Sequence, residues 1–199
     1  MRLETRQAGP GDMPAVKRLI DEYIAEDYYA LEELEGCLRP GRDLFHVVTD
    51  ADRGGAVISF FYAFLSTLEE ALPLLHVARK PEALRRYAPD TPVGVYKTAS
   101  TARAYRKLGI CSSFVRDVEP ELRRRGARMI VSTAWRTPEG VIPVKGILRD
   151  TGFTAVAEVI RPWEHLDLFC TSCRRRHCIC DAIFYIKKLD EAKDGDISE

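Results

Sequence analysis

The chain has 199 residues, 46% of them hydrophobic, and its 30 Lys and Arg residues balance 30 Asp and Glu residues. This composition supplies enough apolar area for a packed core and excludes a wholly disordered protein. A net charge of zero gives no general attraction to nucleic acid or anionic membranes, so neither is an expected partner.

No segment predicts export or membrane insertion. The first six residues carry charges without an apolar run behind them, which argues against a secretory signal. The longest apolar stretch, Ala56–Leu65, is too short to span a bilayer. Four of the six cysteines are crowded into residues 170–180, which is typical of a metal site in a reducing compartment. We therefore expect a soluble, cytoplasmic protein.

The N-terminal part of the chain predicts a strand, two helices and a hairpin. Leu3–Gln7 alternates as a short strand, and apolar residues at helical spacing then predict a helix with Asp12 as its N-cap. A second helix is predicted over Tyr28–Leu38. Phe45–Val48 and Ala56–Leu65 flank a turn-rich loop and predict two antiparallel strands.

The rest of the chain alternates strands with helices. Residues 66–92 predict only a short helix and loops, and an amphipathic helix is predicted between Gly109 and Gly126. Four strands and one short helix complete the predicted elements: strands Val93–Thr101, Met129–Trp135, Thr154–Ile160 and Ala182–Leu189, and helix Val144–Asp150. The order is that of a mixed α/β domain, with residues 190–199 as a charged, frayed tail.

One segment between a predicted strand and the amphipathic helix could bind a phosphate. Its sequence is Arg106-Lys107-Leu108-Gly109-Ile110-Cys111. A helix N-terminus presents unpaired N–H groups and the positive end of the helix dipole, and a glycine lets the backbone approach an anion. A pyrophosphate would fit there, although a turn and cap without a ligand explains the same residues.

Arg106–Ile110 resembles the acetyl-CoA pyrophosphate loop of the GNAT acetyltransferase superfamily. Residues 2–16, 125–131 and 147–153 resemble other segments of that family, and they follow in its order. The resemblance implies a mixed, mostly antiparallel central sheet flanked by helices, with residues 1–189 as one domain. It places acetyl-CoA between the strand ending near Thr101 and the strand Met129–Trp135. Arg106 would open the loop, and backbone amides would hold the pyrophosphate: those of Lys107, Leu108, Gly109, Ile110 and Cys111.

The activity that the resemblance implies is transfer of an acetyl group from acetyl-CoA to a primary amine of a small molecule or protein. The family often has a tyrosine that protonates the leaving thiolate, but the matching position is Leu148, while Tyr96 and Tyr105 lie on other elements. No catalytic residue is therefore assigned. The alternative is a non-catalytic GNAT-like module that binds acyl-CoA or a macromolecule, and a homodimer is left open.

Three carboxylates and one thiol have both a functional and a simpler structural interpretation. Glu69, Glu70 and Asp90 are candidates for a general base, but solvated surface carboxylates explain them better, and none is named as a base. Cys111 could be a reactive thiol at a helix N-terminus, or a small buried residue. In each case we expect the structural interpretation.

Cys170, Cys173, Cys178 and Cys180 have the spacing C-x2-C-x4-C-x-C. The first pair suits a tight turn, and residues two apart at the start of the last strand point to the same face. Four thiolates can then converge tetrahedrally, as zinc prefers in a closed structural site. The sequence predicts a zinc knuckle over residues 170–180, inserted between the last two strands.

Other interpretations of this cluster stay open. Four thiolates also suit an iron–sulfur cluster, and the residues could be four free thiols. His177 is a further candidate ligand, but its position next to Cys178 favours an all-cysteine site. Arg174–Arg176 would offset the negative charge of four thiolates, or contact an acidic partner.

Overall fold

A computed structural model describes residues 1–189, so the tail predicted for residues 190–199 lies outside the described part. The strands are β1 (Leu3–Gln7), β2 (Ala25–Glu26), β3 (Asp43–Asp50), β4 (Ala56–Thr67), β5 (Pro92–Thr101), β6 (Met129–Arg136), β7 (Thr154–Val159), β8 (Phe169–Cys170) and β9 (Asp181–Lys188). The helices are α1 (Met13–Tyr23), α2 (Leu31–Glu35), α3 (Leu68–Leu74), α4 (Ile110–Arg124) and α5 (Lys145–Asp150).

The strands form a seven-stranded sheet in the order β1-β3-β4-β5-β6-β9-β7, and β2 and β8 form a separate pair. Among the strands of residues 1–189, only β5 and β6 run parallel, and every other neighbouring pair is antiparallel. Within residues 1–189, no helix combines the length and apolar character needed to cross a membrane. The predicted mixed, mostly antiparallel sheet is confirmed.

Helices cover both faces of the sheet because its strands alternate apolar side chains between two cores. On β6, Val131 joins the core formed with α1, α2 and α3, while Ile130 joins the core formed with α4 and α5. Each helix faces its core with residues at helical spacing, such as Val16 and Ile20 of α1. This two-sided burial fixes the register of the central strands.

Two predictions about the first helices need correction. Asp12 occupies the predicted N-cap position of α1, but its side chain does not cap the helix: its carboxylate accepts the Gly9 N–H at 2.8 Å and pairs with Arg6. Helix α2 is shorter than the predicted Tyr28–Leu38, because the Glu33 carboxylate accepts the Ala30 N–H at 2.7 Å and starts the helix there. The residues before Ala30 are free to take a non-helical course.

The connection between β7 and β9 carries the four clustered cysteines. β7 pairs with β9 as far as Val159 opposite Ala182, so residues 160–180 leave the sheet after β7 and return to it at β9. Cys178 and Cys180 were expected on the last strand, but β9 begins at Asp181 and both residues directly precede it. We call residues 170–180 the cysteine knuckle.

Candidate functional site

A cleft opens where the parallel strands β5 and β6 part. They are paired only from Val93 and Met129 to Tyr96 and Ser132. Beyond this point β5 stays paired with β4 as far as Thr101, and β6 stays paired with β9 to the end of the strand. The strand ends therefore diverge as a V whose facing backbone edges are not hydrogen-bonded to each other.

The α4 side of the sheet supports the paired base of the V. Gly94 of β5 lies against Leu122 of α4 so closely that an added Cβ would meet the leucine Cδ1 at 2.5 Å. Leu122 is completely buried and has little room to move. The absence of a side chain at residue 94 thus lets α4 lie directly on the strand, which fixes the position of the helix.

The predicted phosphate loop lies between β5 and the N-terminus of α4. Lys107 and Gly109 adopt left-handed backbone angles, with φ of 67° and 78°. Within residues 1–189, no backbone carbonyl accepts a hydrogen bond from the N–H of Lys107, Leu108 or Gly109, and the first bond of the helix runs from Ser113 N–H to Gly109 O at 2.9 Å. Free amides at a helix N-terminus suit an anion such as a pyrophosphate.

Arg106 fastens this loop to its surroundings. Its Nε donates to the Thr101 carbonyl at the end of β5 at 3.0 Å, and its guanidinium lies 4.8 Å from the ring centre of Tyr23. Cys111, in the first turn of α4, is partly buried, and burial raises the pKa of its thiol to about 11. A thiol with that pKa is protonated at neutral pH, which favours the packing interpretation.

The tyrosines and the leucine considered for catalysis are engaged in the structure. Leu148 is 5% exposed and belongs to the α4 core. The Tyr96 hydroxyl donates to the Val115 carbonyl at 2.8 Å, and the Tyr105 hydroxyl donates to Asp50 at 2.6 Å. The carboxylates of Glu69, Glu70 and Asp90 belong to exposed residues. None of these groups is placed as an acid or base in the V.

Aromatic side chains that the sequence did not single out lie beside the V on its other side. β5 carries one extra residue, Lys97, at a bulge, and its Nζ donates to the Leu74 carbonyl at 2.6 Å. The Tyr29 hydroxyl lies 3.3 Å from the Thr98 hydroxyl, and the Tyr28 and Tyr29 rings meet edge to face at 4.7 Å. Residues 28 and 29 therefore contact the diverging part of β5.

A second aromatic group joins His76, which follows α3, to Trp163 and His165 from the segment after β7. The ring centre of His76 lies 6.0 Å from that of Trp163 and 5.9 Å from that of His165. Burial lowers the pKa of His76 to about 4, with further lowering by Lys97 and His165, so its imidazole is neutral at pH 7. On the diverging part of β6, the buried Nε1 of Trp135 has no hydrogen-bond partner within residues 1–189.

The cysteine knuckle brings the four predicted ligands together. All four sulfurs lie within 4.8 Å of one another, and the distances between Cys170 and Cys180 and between Cys173 and Cys178 are 3.9 and 4.0 Å. Metal–sulfur bonds of about 2.3 Å in a tetrahedron separate sulfurs by about 3.8 Å. The cluster therefore has the dimensions of a four-thiolate metal site.

Local interactions favour a thiolate at Cys170. The N–H groups of Ser172 and Cys173 donate to the Cys170 sulfur, and the Cys180 N–H donates to that of Cys178. The neighbouring Cys178 thiol and these N–H groups lower the pKa of Cys170 to about 5, while the same neighbour and burial raise the pKa of Cys178. A tight turn, closed by Arg174 N–H to Cys170 O at 2.8 Å, places the first two sulfurs.

His177 lies outside the sulfur cluster. It is exposed, and its Nδ1 is 3.2 Å from the Glu164 carbonyl. Arg176 pairs with Asp167 at 2.9 Å, and Arg174 and Arg175 are exposed beside the cluster. The residues that converge are thus the four cysteines alone, surrounded by positive charge that can offset thiolates.

Comparison with known proteins gives matches in structure and none in sequence. No family model and no curated protein matches the sequence. The NatC complex bound to Gag peptide and CoA matches 96% of this chain and 100% of its own at 15% identity, with a TM-score of 0.69. Arabidopsis thaliana NAA60 with a bisubstrate analogue matches 94% of this chain and 98% of its own at 15% identity, with a TM-score of 0.68. The Escherichia coli ribosomal-protein-S18-alanine N-acetyltransferase matches 100% of this chain and 99% of its own at 12% identity, with a TM-score of 0.63.

Proposed function

Because the chain has the fold of the GNAT N-acetyltransferases, we propose that it is an acetyl-CoA-dependent N-acetyltransferase that modifies a primary amine. The observation that carries this proposal is the V between β5 and β6 with unpaired amides of the following loop beside it. A shared fold alone does not specify chemistry, so the proposal depends on this site.

The proposed cofactor site uses backbone groups. The amides of Lys107, Leu108, Gly109, Ile110 and Cys111 would hold the pyrophosphate, and Arg106 would keep the loop against β5 through its bond to Thr101. The thioester would lie between the diverging strands. The attacking amine would enter from the side of Tyr28, Tyr29 and His76, and holding the two reactants together would supply much of the rate.

A peptide or protein amine is the acceptor class that we propose to test first. Two of the matched structures are described as complexes with a Gag peptide and with a bisubstrate analogue, and a third acts on a ribosomal protein. The aromatic residues beside the V offer apolar contact area to such a chain. Small amines are the comparison class.

We further propose that zinc binds Cys170, Cys173, Cys178 and Cys180. Four thiolates leave no open coordination position, so the ion would have a structural role. Residues 1–189 would form one domain that contains this site, in a protein of the cytoplasm. Native mass spectrometry of the purified chain should show one zinc per chain; iron with inorganic sulfide would instead identify an iron–sulfur cluster.

Titration calorimetry with acetyl-CoA tests the cofactor site directly. We expect saturable binding with one site per chain, and the absence of binding would overturn the enzyme proposal. Release of free CoA is then measured with a panel of peptides with free N-termini and a panel of small amines. Turnover with peptides only would support the proposed acceptor class.

One observation favours the alternative of a non-catalytic acyl-CoA-binding or interaction module. Leu148 is buried where the related enzymes often have a tyrosine, and the hydroxyls of Tyr96 and Tyr105 are already engaged. Saturable acetyl-CoA binding without CoA release from either amine panel would support this alternative.

A further inference from the structure

We propose that the cysteine knuckle is a metal-dependent clamp that holds the acceptor wall, defined as Tyr28, Tyr29, His76 and Trp163. The metal would order this wall and leave the phosphate loop unchanged. The name of the wall rests on the proposed function, but the clamp is a structural relation that can be tested without acetyl transfer. Two separate chains of contact join the knuckle to the wall, one on each arm of the V.

The first chain of contact joins the knuckle to the segment after α1. Strand β8, which contains Cys170, pairs with β2 through Ala25 opposite Cys170 and Glu26 opposite Phe169. Both the N–H and the hydroxyl of Thr171 donate to the Ile24 carbonyl, at 3.2 and 2.8 Å. The backbone of residues 24–26 is thus fixed by the residues that surround the first cysteine.

Two tyrosines extend this contact to β5. Tyr28 packs against the buried cluster formed by Ala25, Leu168 and the cysteines. The Lys97 ammonium lies 3.5 Å from the Tyr28 hydroxyl and 5.9 Å from its ring centre, while Tyr29 reaches Thr98. One aromatic residue therefore separates the sulfur cluster from the β5 arm of the V.

The second chain of contact reaches β6 through Trp163. The Trp163 side chain packs against the same buried cluster and meets His76 edge to face at 6.0 Å. The backbone carbonyl of Leu75, the residue before His76, accepts a hydrogen bond from the Thr133 hydroxyl of β6 at 3.0 Å. The knuckle thus supports both arms of the V, the β5 arm through Tyr28 and the β6 arm through Trp163 and His76.

The phosphate loop is held by other contacts. Helix α4 packs into the core on the opposite face of the sheet, which contains none of the four clustered cysteines. Residues 160–180 have only the two-residue strand β8 as extended structure, so their course depends on side-chain contacts, and three of the five buried residues in this segment are cysteines of the cluster. Removal of a metal should therefore loosen residues 24–30 and 160–180 and spare α4.

Hydrogen–deuterium exchange of the full chain, with zinc bound and after removal by a chelator, tests the clamp. We expect amides of residues 24–30, 75–77 and 161–170 to exchange at least about tenfold faster without zinc, a change of about 1.4 kcal/mol in local opening. The exchange rates of residues 103–125 should change less than about twofold. The dissociation constant of acetyl-CoA should also change less than about twofold. Re-addition of Zn²⁺ alone should restore protection.

Variants that keep the metal separate the two chains of contact. Trp163→Ala should speed exchange at residues 75–77 and leave residues 24–30 protected. Tyr28→Ala should speed exchange at residues 28–30 alone and leave residues 75–77 protected. Unchanged exchange at residues 24–30 after chelation would overturn the proposal. So would uniform deprotection of the whole chain, because the metal would then hold the entire fold. Failure of acetyl transfer with the expected exchange pattern would instead contradict the proposed function alone.

Discussion

The two sides of the V are built by different means. The side that we propose for CoA comes from one continuous stretch, in which the end of β5, the loop at Arg106 and the first turn of α4 follow one another and are joined by short-range contacts. The side that we propose for the acceptor is assembled from segments near residues 24–29, 74–76, 97–98 and 163–180, held by side chains and by the knuckle. Local construction makes the first side self-sufficient, while the second depends on a distant cross-link.

Loss of one buried thiolate should produce the largest difference between the two sides. Cys178 is 2% exposed, and Cys178→Ser should reduce bound zinc from one per chain to none, because serine is a poor zinc ligand. The local stability of residues 160–180 should fall by about 3 kcal/mol or more, since metal-binding free energy contributes to the order of the segment that binds the ion. Cys37→Ser is the matched control: Cys37 lies outside the cluster, and its thiol donates to the Glu33 carbonyl at 3.2 Å. Metal analysis and hydrogen–deuterium exchange of residues 160–180 are measured for both variants, and equal behaviour of the two would contradict the assignment.

A change confined to the CoA side should weaken cofactor binding without loss of zinc. Gly109 has a φ of 78°, and Gly109→Ala introduces strain of about 1–2 kcal/mol into the loop. We expect the acetyl-CoA dissociation constant to rise by about tenfold, about 1.4 kcal/mol. Gly140, with a φ of 83° and equally open surroundings, lies in a different loop, so Gly140→Ala should carry similar strain and leave binding unchanged. If calorimetry gives the same acetyl-CoA affinity for both variants, the loop at Gly109 does not bind the cofactor.

Contact between β5 and α4 can be tested by a single methyl group. In Gly94→Ala the new Cβ would meet the buried Leu122 at 2.5 Å, and we expect a loss of about 1–3 kcal/mol. Gly146→Ala on α5 meets nothing within 4 Å and should be neutral or slightly stabilising, by about 0.5 kcal/mol. Urea denaturation compares the two. Equal stability would show that the leucine can move, and that this contact does not fix α4 on the strand.

The smallest expected effect is a pH dependence on the acceptor side. The pKa of His76 is lowered to about 4, mainly by burial, against about 6.5 in the unfolded chain. Between these values the unfolded chain binds a proton that the folded protein does not, so stability is complete above pH 6.5 and falls toward pH 4. His76 has a φ of 58°, which asparagine tolerates. His76→Asn should reduce this loss by about 1 kcal/mol, as measured by denaturation at pH 7 and pH 4.5.

Two other histidines bear on how much of this pH dependence of stability comes from His76. Burial also lowers the pKa of His46 on β3, so part of the slope should remain in His76→Asn. The exposed His177 is the control position, and His177→Asn should leave the slope unchanged. A slope that is identical in the wild type and both variants would assign the pH dependence to other groups.

The sequence was informative where the cause is local. The apolar period after Gly109 predicted α4, which spans Ile110–Arg124, because each buried residue lies one turn from the next. The spacing of the cysteines predicted their convergence, because a tight turn and a pair two residues apart constrain the sulfurs directly. The same holds for β5, predicted to end at Thr101, where the structure ends it.

The acceptor wall was not predicted, because its contacts join residues far apart in the chain. Tyr28 and Lys97 are 69 residues apart, and nothing near Tyr28 indicates that the helix predicted there starts only after Ala30. Strands β2 and β8 have two residues each, too few to show the alternation by which strands are found. Their pairing follows from the position of the knuckle over the end of α1.

The hydrogen bond from Thr171 to Ile24 spans 147 residues of sequence. Contacts this remote form late in folding, since the entropy of closing such a loop is recovered only after the intervening sheet exists. During synthesis, the segment after α1 must wait for residue 180 to leave the ribosome before its supporting sulfur cluster is complete. The part of the molecule that would receive the amine is therefore completed late, just before β9, and a nascent chain halted before the knuckle would have its sheet core partly assembled without a formed acceptor side.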